Sequence, residues 1–323
     1  MDKKLFQCTY RTHQTKVGSF LSDTAALING VVQGSGIGLL MFLVYINELV
    51  IILDRYGIKV KLFADDVKLY LQIVNDVRVL QLQLAVDALV AWAKEWQLSI
   101  SVNKCCVLNV GKVTCDTCLS IDGIALPVVD SACDLSVTVS CDLSPLLHIS
   151  NIVAKAHKRL AAIYRTFKSR NVDLLTHAYL TYVRPLVEHN SVIWSPYTVK
   201  DLDAIEAVQR RFTKRLLNFS TLPYAERLKC LNLRTLELRR LHSDLIYCYK
   251  ILFGFIDVLA DDFFEYVPLS ITRGHNFKLY KKHSTATVRD KFFSERLLLV
   301  FGITYQTMLI LVSLPVSFVP SKL

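Results

Sequence analysis

No internal repeat, low-complexity tract or Ser/Gly linker interrupts this 323-residue chain, so repeat arrays and linker-tethered modules are excluded. There is no apolar signal core after Met1-Asp2-Lys3-Lys4, which leads into polar sequence. Nine cysteines are present, yet nothing else fits a secreted protein, so reduced intracellular thiols are expected. A second chelating pair is also missing. Cys115-Asp116-Thr117-Cys118 has zinc-knuckle spacing, but no Cys or His pair follows at comparable spacing and His148 is isolated, so no zinc site is expected. Charged residues are absent from Leu297 to Pro320, a run long enough in principle to span a bilayer. Thr304-Tyr305-Gln306-Thr307 breaks its middle, Gly302 and Pro315 weaken it, and no basic cluster lies beyond. A buried or frame-damaged tail is expected there over a membrane anchor, and no stable membrane association is expected.

What is present is a globular composition, 52% hydrophobic and 20% charged, with length for two domains. The net charge of +10 and a pI near 9.1 point to a polyanion, nucleic acid first and anionic membrane second. Between Ile149 and Lys250 there are 18 Lys and Arg against 8 Asp and Glu, so that region holds the whole excess. Solvated basic helix faces are the plainer explanation of the same run.

Gly30–Gly38 reads as a loop and Leu39–Leu53, almost wholly apolar, as a buried helix. Ile58–Ile73 has strand character on both sides of Asp65-Asp66, which predicts a hairpin with the acids at its turn. Val79, Leu82, Val86, Leu89, Trp92 and Trp96 recur at helical spacing over Asn75–Trp96. Ile100–Leu108 and Leu119–Val139 read as short strands, and Ile149–Phe167, Val172–His189 and Asp201–Asn218 as long helices. The fold class is therefore α+β, with an α/β domain over 1–144, a basic helical domain over 145–260 and a C-terminal tail over 261–323.

Asp65 and Asp66 sit inside the apolar run Leu62–Val67, and paired carboxylates can hold a divalent metal beside a phosphate. Alone, the pair reads as a turn with solvated acids. Thirty residues upstream, Gly30-Val31-Val32-Gln33-Gly34-Ser35 leads into the apolar Leu39–Leu49 segment. Together these resemble the Gly-Gln-Gly-Ser and Φ-Ala-Asp-Asp motifs of reverse transcriptases, in the form found in LINE-type (non-LTR, Jockey-like) retrotransposons. The resemblance continues through Ile152–Arg159, Tyr182–Glu188, Ile193–Pro196 and Ile205–Arg211, and fades after about Arg296.

The resemblance implies a polymerase palm, an antiparallel sheet with packed helices, followed by a basic, helical thumb-like domain. It implies RNA-directed DNA synthesis, with an RNA template, a DNA primer, deoxynucleotide triphosphates and Mg²⁺ (or Mn²⁺). Asp65 and Asp66 would hold metal; Gln33, Gly34 and Ser35 would lie against template and nucleotide. Lys104 would protonate the leaving pyrophosphate, or is simply a surface lysine after a strand. Cys133–Val137 falls where a primer-gripping hairpin stands in the family, and Lys155, Lys158 and Arg159 would contact the nucleic acid. The chain departs from the pattern at Val32 and Leu39, usually prolines, at Gly36, usually bulky and apolar, and at Ser136, usually glycine. Upstream of Gly30 stand only Asp2 and Asp23, neither in the strand context of the family's first catalytic aspartate. The expectation is a truncated copy, inactive alone, with a non-catalytic nucleic-acid-binding remnant as the alternative.

Overall fold

The computed structural model describes residues 11–27, 36–111, 118–266, 279–280 and 287–301. The chain divides into two compact units, Met1–Asp130 and Ser131–Leu323. In the first, β1 (Arg11–His13) pairs antiparallel with β4 (Ala25–Leu27), and between them β2 (Lys16–Val17) and β3 (Phe20–Leu21) form a hairpin. Helices α1 (Gly38–Ile46) and α2 (Glu48–Asp54) lead to the hairpin of β5 (Lys59–Phe63) and β6 (Asp66–Tyr70). The long α3 (Asp76–Glu95) begins where the Asn75 side chain accepts the Arg78 backbone N–H at 3.1 Å. Asp76 in its first turn and Lys94 in its last complement the helix dipole. Two short pairs complete the unit, β7 (Val107–Leu108) parallel with β10 (Val128–Val129), and β8 (Ser120–Ile121) antiparallel with β9 (Ile124–Ala125).

Side chains alternate across a strand, so the pairs Val60–Leu69 and Leu62–Val67 share one face of the β5–β6 hairpin. That face joins a core with Leu49, Leu53, Leu82, Ala85 and Trp92. The Tyr45 ring meets Trp96 edge-on at 4.7 Å, and its hydroxyl donates to the Trp96 carbonyl at 2.9 Å. Burial, with Glu48 nearby, pushes this phenol up to about 12 and keeps it a donor. The buried helix expected over Leu39–Leu53 is instead two helices meeting at Asn47, with Leu39, Leu40, Leu43, Val44 and Ile51 exposed. Only one stripe of so apolar a segment can pack, here Tyr45, Ile46, Leu49 and Leu53.

The second unit opens with the antiparallel hairpin of β11 (Ser131–Asp134) and β12 (Val137–Ser140). Then come α4 (Leu146–Thr166), α5 (Val172–Tyr182), α6 (Ser191–Trp194), α7 (Val199–Lys214), α8 (Tyr224–Cys230) and α9 (Leu236–Leu252). Ile149, Ile152, Ala156, Leu160 and Ile163 line one face of α4 and pack with Leu175, Tyr179, Ile205, Val208 and Phe212. The Tyr179 and Phe212 rings stack with centroids 4.3 Å apart. The helix expected over Val172–His189 stops at Tyr182, and a 3-10 turn over Arg184–Val187 carries the chain onward. Pro185 supplies no N–H and crowds the preceding turn, which ends the α-helix.

Strands β13 (Glu265–Tyr266) and β14 (Leu279–Tyr280) pair, and α10 (Thr287–Asp290) and α11 (Phe293–Phe301) end the described part. Phe293 and Leu297 join Cys248, Ile251 and Phe264 in a further core cluster. Arg296 secures it, donating from Nη2 and Nε to Asp244 Oδ2 at 2.9 and 3.1 Å and from Nη2 to the Val192 carbonyl at 3.1 Å. Most of the charge-free run lies outside the described residues, among which no helix is long and apolar enough to cross a membrane. The chain mixes helix and strand, consistent with α+β. In place of the antiparallel sheet expected in the first half, the described residues form separate two-stranded pairs, one of them parallel.

Candidate active site

The register Phe63–Asp66 leaves Ala64-Asp65 as a two-residue turn between β5 and β6. Ala64 has φ +52° and Asp65 does not share that left-handed conformation. This is the pattern of a type II′ turn, whose first central position favours glycine. The turn leaves Asp65 and Asp66 exposed and adjacent at the tip, while the apolar face of the same hairpin is anchored in the core. On the opposite face Lys59 stands across from Tyr70, Lys61 from Lys68 and Phe63 from Asp66, so Asp66 shares that face with cations and aromatic rings. Two adjacent, water-accessible carboxylates fit Mg²⁺ or Mn²⁺, hard ions commonly held by one or two carboxylates together with water and substrate phosphate oxygens. Among the described residues no group of three or more His, Cys, Asp or Glu side chains gathers as a metal cage.

Lys104 ends a 3-10 turn over Val102–Lys104 just before β7 and is exposed. Gln33, Gly34 and Ser35 lie outside the described residues, as do Cys115, Asp116 and Thr117. Among the described residues, Gly36 has open space where a side chain would begin, so none of them demands glycine there. Lys155, Lys158 and Arg159 share the exposed face of α4, opposite Ile152, Ala156 and Leu160. The structure thus gathers Asp65 with Asp66, and Lys155 with Lys158 and Arg159, in different units.

The β11–β12 hairpin turns through Leu135 and Ser136, with φ +44° and +68°. Two left-handed residues make a type I′ turn, which explains the glycine expected at Ser136. The Thr138 N–H donates to His148 Nδ1 at 3.1 Å, tying β12 to α4. Burial above all, then Lys155 and His189, lowers the His148 pKa and keeps that nitrogen an acceptor. The imidazole also packs against Trp194, with centroids 5.0 Å apart.

Two stretches that carried the resemblance turn inward. Gln209, fully buried, accepts from the Tyr179 hydroxyl at 3.0 Å and donates to the Tyr224 hydroxyl and the Arg234 carbonyl at 3.1 and 2.9 Å. Glu206 accepts from the Tyr224 hydroxyl and, at 2.9 Å, from the Leu236 N–H at the start of α9. Glu188 takes a two-pronged bond from Arg239 and lies 3.6 Å from Arg184. These residues brace the helical unit from within. The signal available in the sequence was a pair of polar residues, Glu206 and Gln209, interleaved with the core-facing Ile205, Val208 and Phe212.

A family model described as reverse transcriptase (RNA-dependent DNA polymerase) matches residues 2–175, more than half of the chain. The match spans Gln33, Asp65, Asp66, Lys104, the β11–β12 hairpin and α4. An uncharacterized protein of Caenorhabditis elegans, B0403.1, is 27% identical over 133 residues, which cover 39% of this chain and 67% of that relative. No solved structure matches the chain.

Proposed function

The chain belongs to the reverse transcriptase (RNA-dependent DNA polymerase) family, and we propose that it derives from a LINE-type, Jockey-like retrotransposon, with a palm over residues 1–144 and a thumb over 145–260. The observation that carries a polymerase reading is the carboxylate pair exposed at a hairpin tip whose other face is fixed in the core. Asp65 and Asp66 hold Mg²⁺ or Mn²⁺ in this reading. When bound there, such an ion would supply Lewis-acid activation of a primer 3′-hydroxyl and charge compensation for the leaving pyrophosphate. Gln33, Gly34 and Ser35 lie against the template base and incoming deoxynucleotide, with Gly34 permitting close backbone approach. Lys104 gives a proton to the departing pyrophosphate. Lys155, Lys158 and Arg159 grip phosphates of the RNA template and DNA primer, which positions the duplex without reading its sequence.

Primer extension on an RNA template with Mg²⁺ tests this. Asp65→Ala should abolish whatever incorporation the chain supports without unfolding it, since the side chain is exposed, and Lys104→Gln should slow it about tenfold or more. Incorporation untouched by Asp65→Ala would refute the reading. A second reading, nucleic-acid binding by the helical unit without chemistry, is favoured by the excess of ten positive charges between Ile149 and Lys250. It requires salt-sensitive binding with no incorporation.

A further inference from the structure

We propose that His148 positions the β11–β12 hairpin on α4 through the Thr138 N–H and lets it go when the imidazole is protonated, so that acid frees the hairpin while the helices stay folded.

The register explains why a side chain is needed there. Asp134 and Val137 close the two-residue turn, which makes them a hydrogen-bonded pair and makes the next pair, Cys133 and Thr138, one that is not. The Thr138 N–H therefore points off the outer edge of β12. Among the described residues no third strand joins this sheet. His148 Nδ1 takes the place of a strand partner, accepting that N–H at 3.1 Å.

Only a neutral imidazole can accept at Nδ1. A protonated ring carries N–H on both nitrogens and meets the Thr138 N–H donor to donor. The half-buried amide then loses its acceptor beside a strained turn, where Leu135 and Ser136 are both left-handed. Val137 in the helical core and the Ser140 hydroxyl, which donates to the Ser144 carbonyl at 2.9 Å, hold without the histidine. They keep β12 near α4, so protonation frees the turn and β11 rather than the helices.

The surroundings keep the ring neutral at pH 7. Burial is the largest influence, followed by Lys155 and His189, and the positive end of the α4 dipole adds to them. Strand β12 and helix α6 bring no titratable side chain. Arg184 and Glu188 hold each other, with Glu188 also taken by Arg239, and Asp142 accepts the Ser144 N–H. Asp134 is the acid of the hairpin itself. His189 works at the turn, with Nε2 3.4 Å from the Leu135 carbonyl, and a charge on it would strengthen that contact. Release accordingly belongs to His148 and falls below the ordinary histidine value of about 6.5. In the polymerase reading this hairpin falls where the primer is gripped, so its release would lower primer affinity in acid.

Hydrogen exchange of the full chain, read by mass spectrometry without nucleic acid, tests the clamp independently of that reading. Between about pH 7.5 and about pH 4.5, protection over Ser131–Ser140, corrected for the intrinsic rate, should fall about tenfold or more, as for one lost backbone bond. Protection over Val199–Lys214 of α7 should hold. His148→Asn keeps an acceptor oxygen that does not titrate and should make hairpin protection independent of pH. His148→Phe, with no acceptor, should show the acid level of exchange already at about pH 7.5. A parent hairpin equally protected at both pH values, or an equal loss in α7, would overturn the proposal. So would a fall in His148→Asn as steep as in the parent.

Discussion

At Ala64 and Ser136 the backbone is left-handed, with φ +52° and +68°, a conformation that costs a residue bearing a side chain about 1 kcal/mol or more. Glycine carries no such penalty. Ser136→Gly should therefore raise the stability of the helical unit by about 1 kcal/mol, read as a higher urea midpoint at unchanged slope. A lower midpoint would mean that the serine makes a compensating contact. Asp244 presents a different conflict. Desolvation, working against the pull of Arg296 and Arg240, pushes its carboxyl up to about 6. An unfolded aspartate titrates near about 4. Between roughly pH 4 and pH 6 the folded chain thus keeps a proton that the unfolded chain has released, so stability falls as pH rises through that window. Asp244→Asn should remove this fall when urea midpoints at about pH 4.5 and pH 7 are compared. An equally steep fall in the variant would assign it to another group.

Between elements, the Asp244–Arg296 pair fastens α11 to α9. Arg296→Met leaves the carboxylate buried without its direct partner and should cost about 3–5 kcal/mol. Adding Asp244→Leu should recover much of that loss, because a buried ion pair contributes little beyond a packed apolar pair. A double variant no more stable than Arg296→Met would show that the pair also orders the helix ends. The long helices α3, α4 and α7 were legible in the sequence, since their apolar residues recur every three or four positions on one face. The β5–β6 hairpin was legible from alternation, and its acids from being adjacent. Leu39–Leu53 was not, because a segment apolar on every side names no face, and its break at Asn47 has no Gly or Pro to announce it. Nor was the role of Gln209, whose partners Tyr179 and Tyr224 lie thirty and fifteen residues away. Only the packing of α5 and α8 around α7 brings them to it.

Across the whole molecule, the candidate carboxylates and the proposed nucleic-acid grip fall in different units. The candidate metal carboxylates stand in the first, whereas the net charge of +10 equals the excess between Ile149 and Lys250 in the second. Nucleic-acid binding should then survive loss of the carboxylates. The double variant Asp65→Ala, Asp66→Ala should bind an RNA–DNA hybrid as tightly as the parent while incorporating no nucleotide. Its salt dependence should match too. If about four phosphates are neutralised, raising salt from about 50 to about 200 mM weakens binding on the order of a hundredfold in parent and variant alike. The first unit, nearly balanced in charge, contributes little to such a slope. A variant with markedly weaker binding, or a shallower slope, would instead place part of the grip at the hairpin itself, where Lys59, Lys61 and Lys68 share the outer face with Asp66. In that case the carboxylates and these lysines would have to be treated as one site, with the metal setting how closely phosphate can approach.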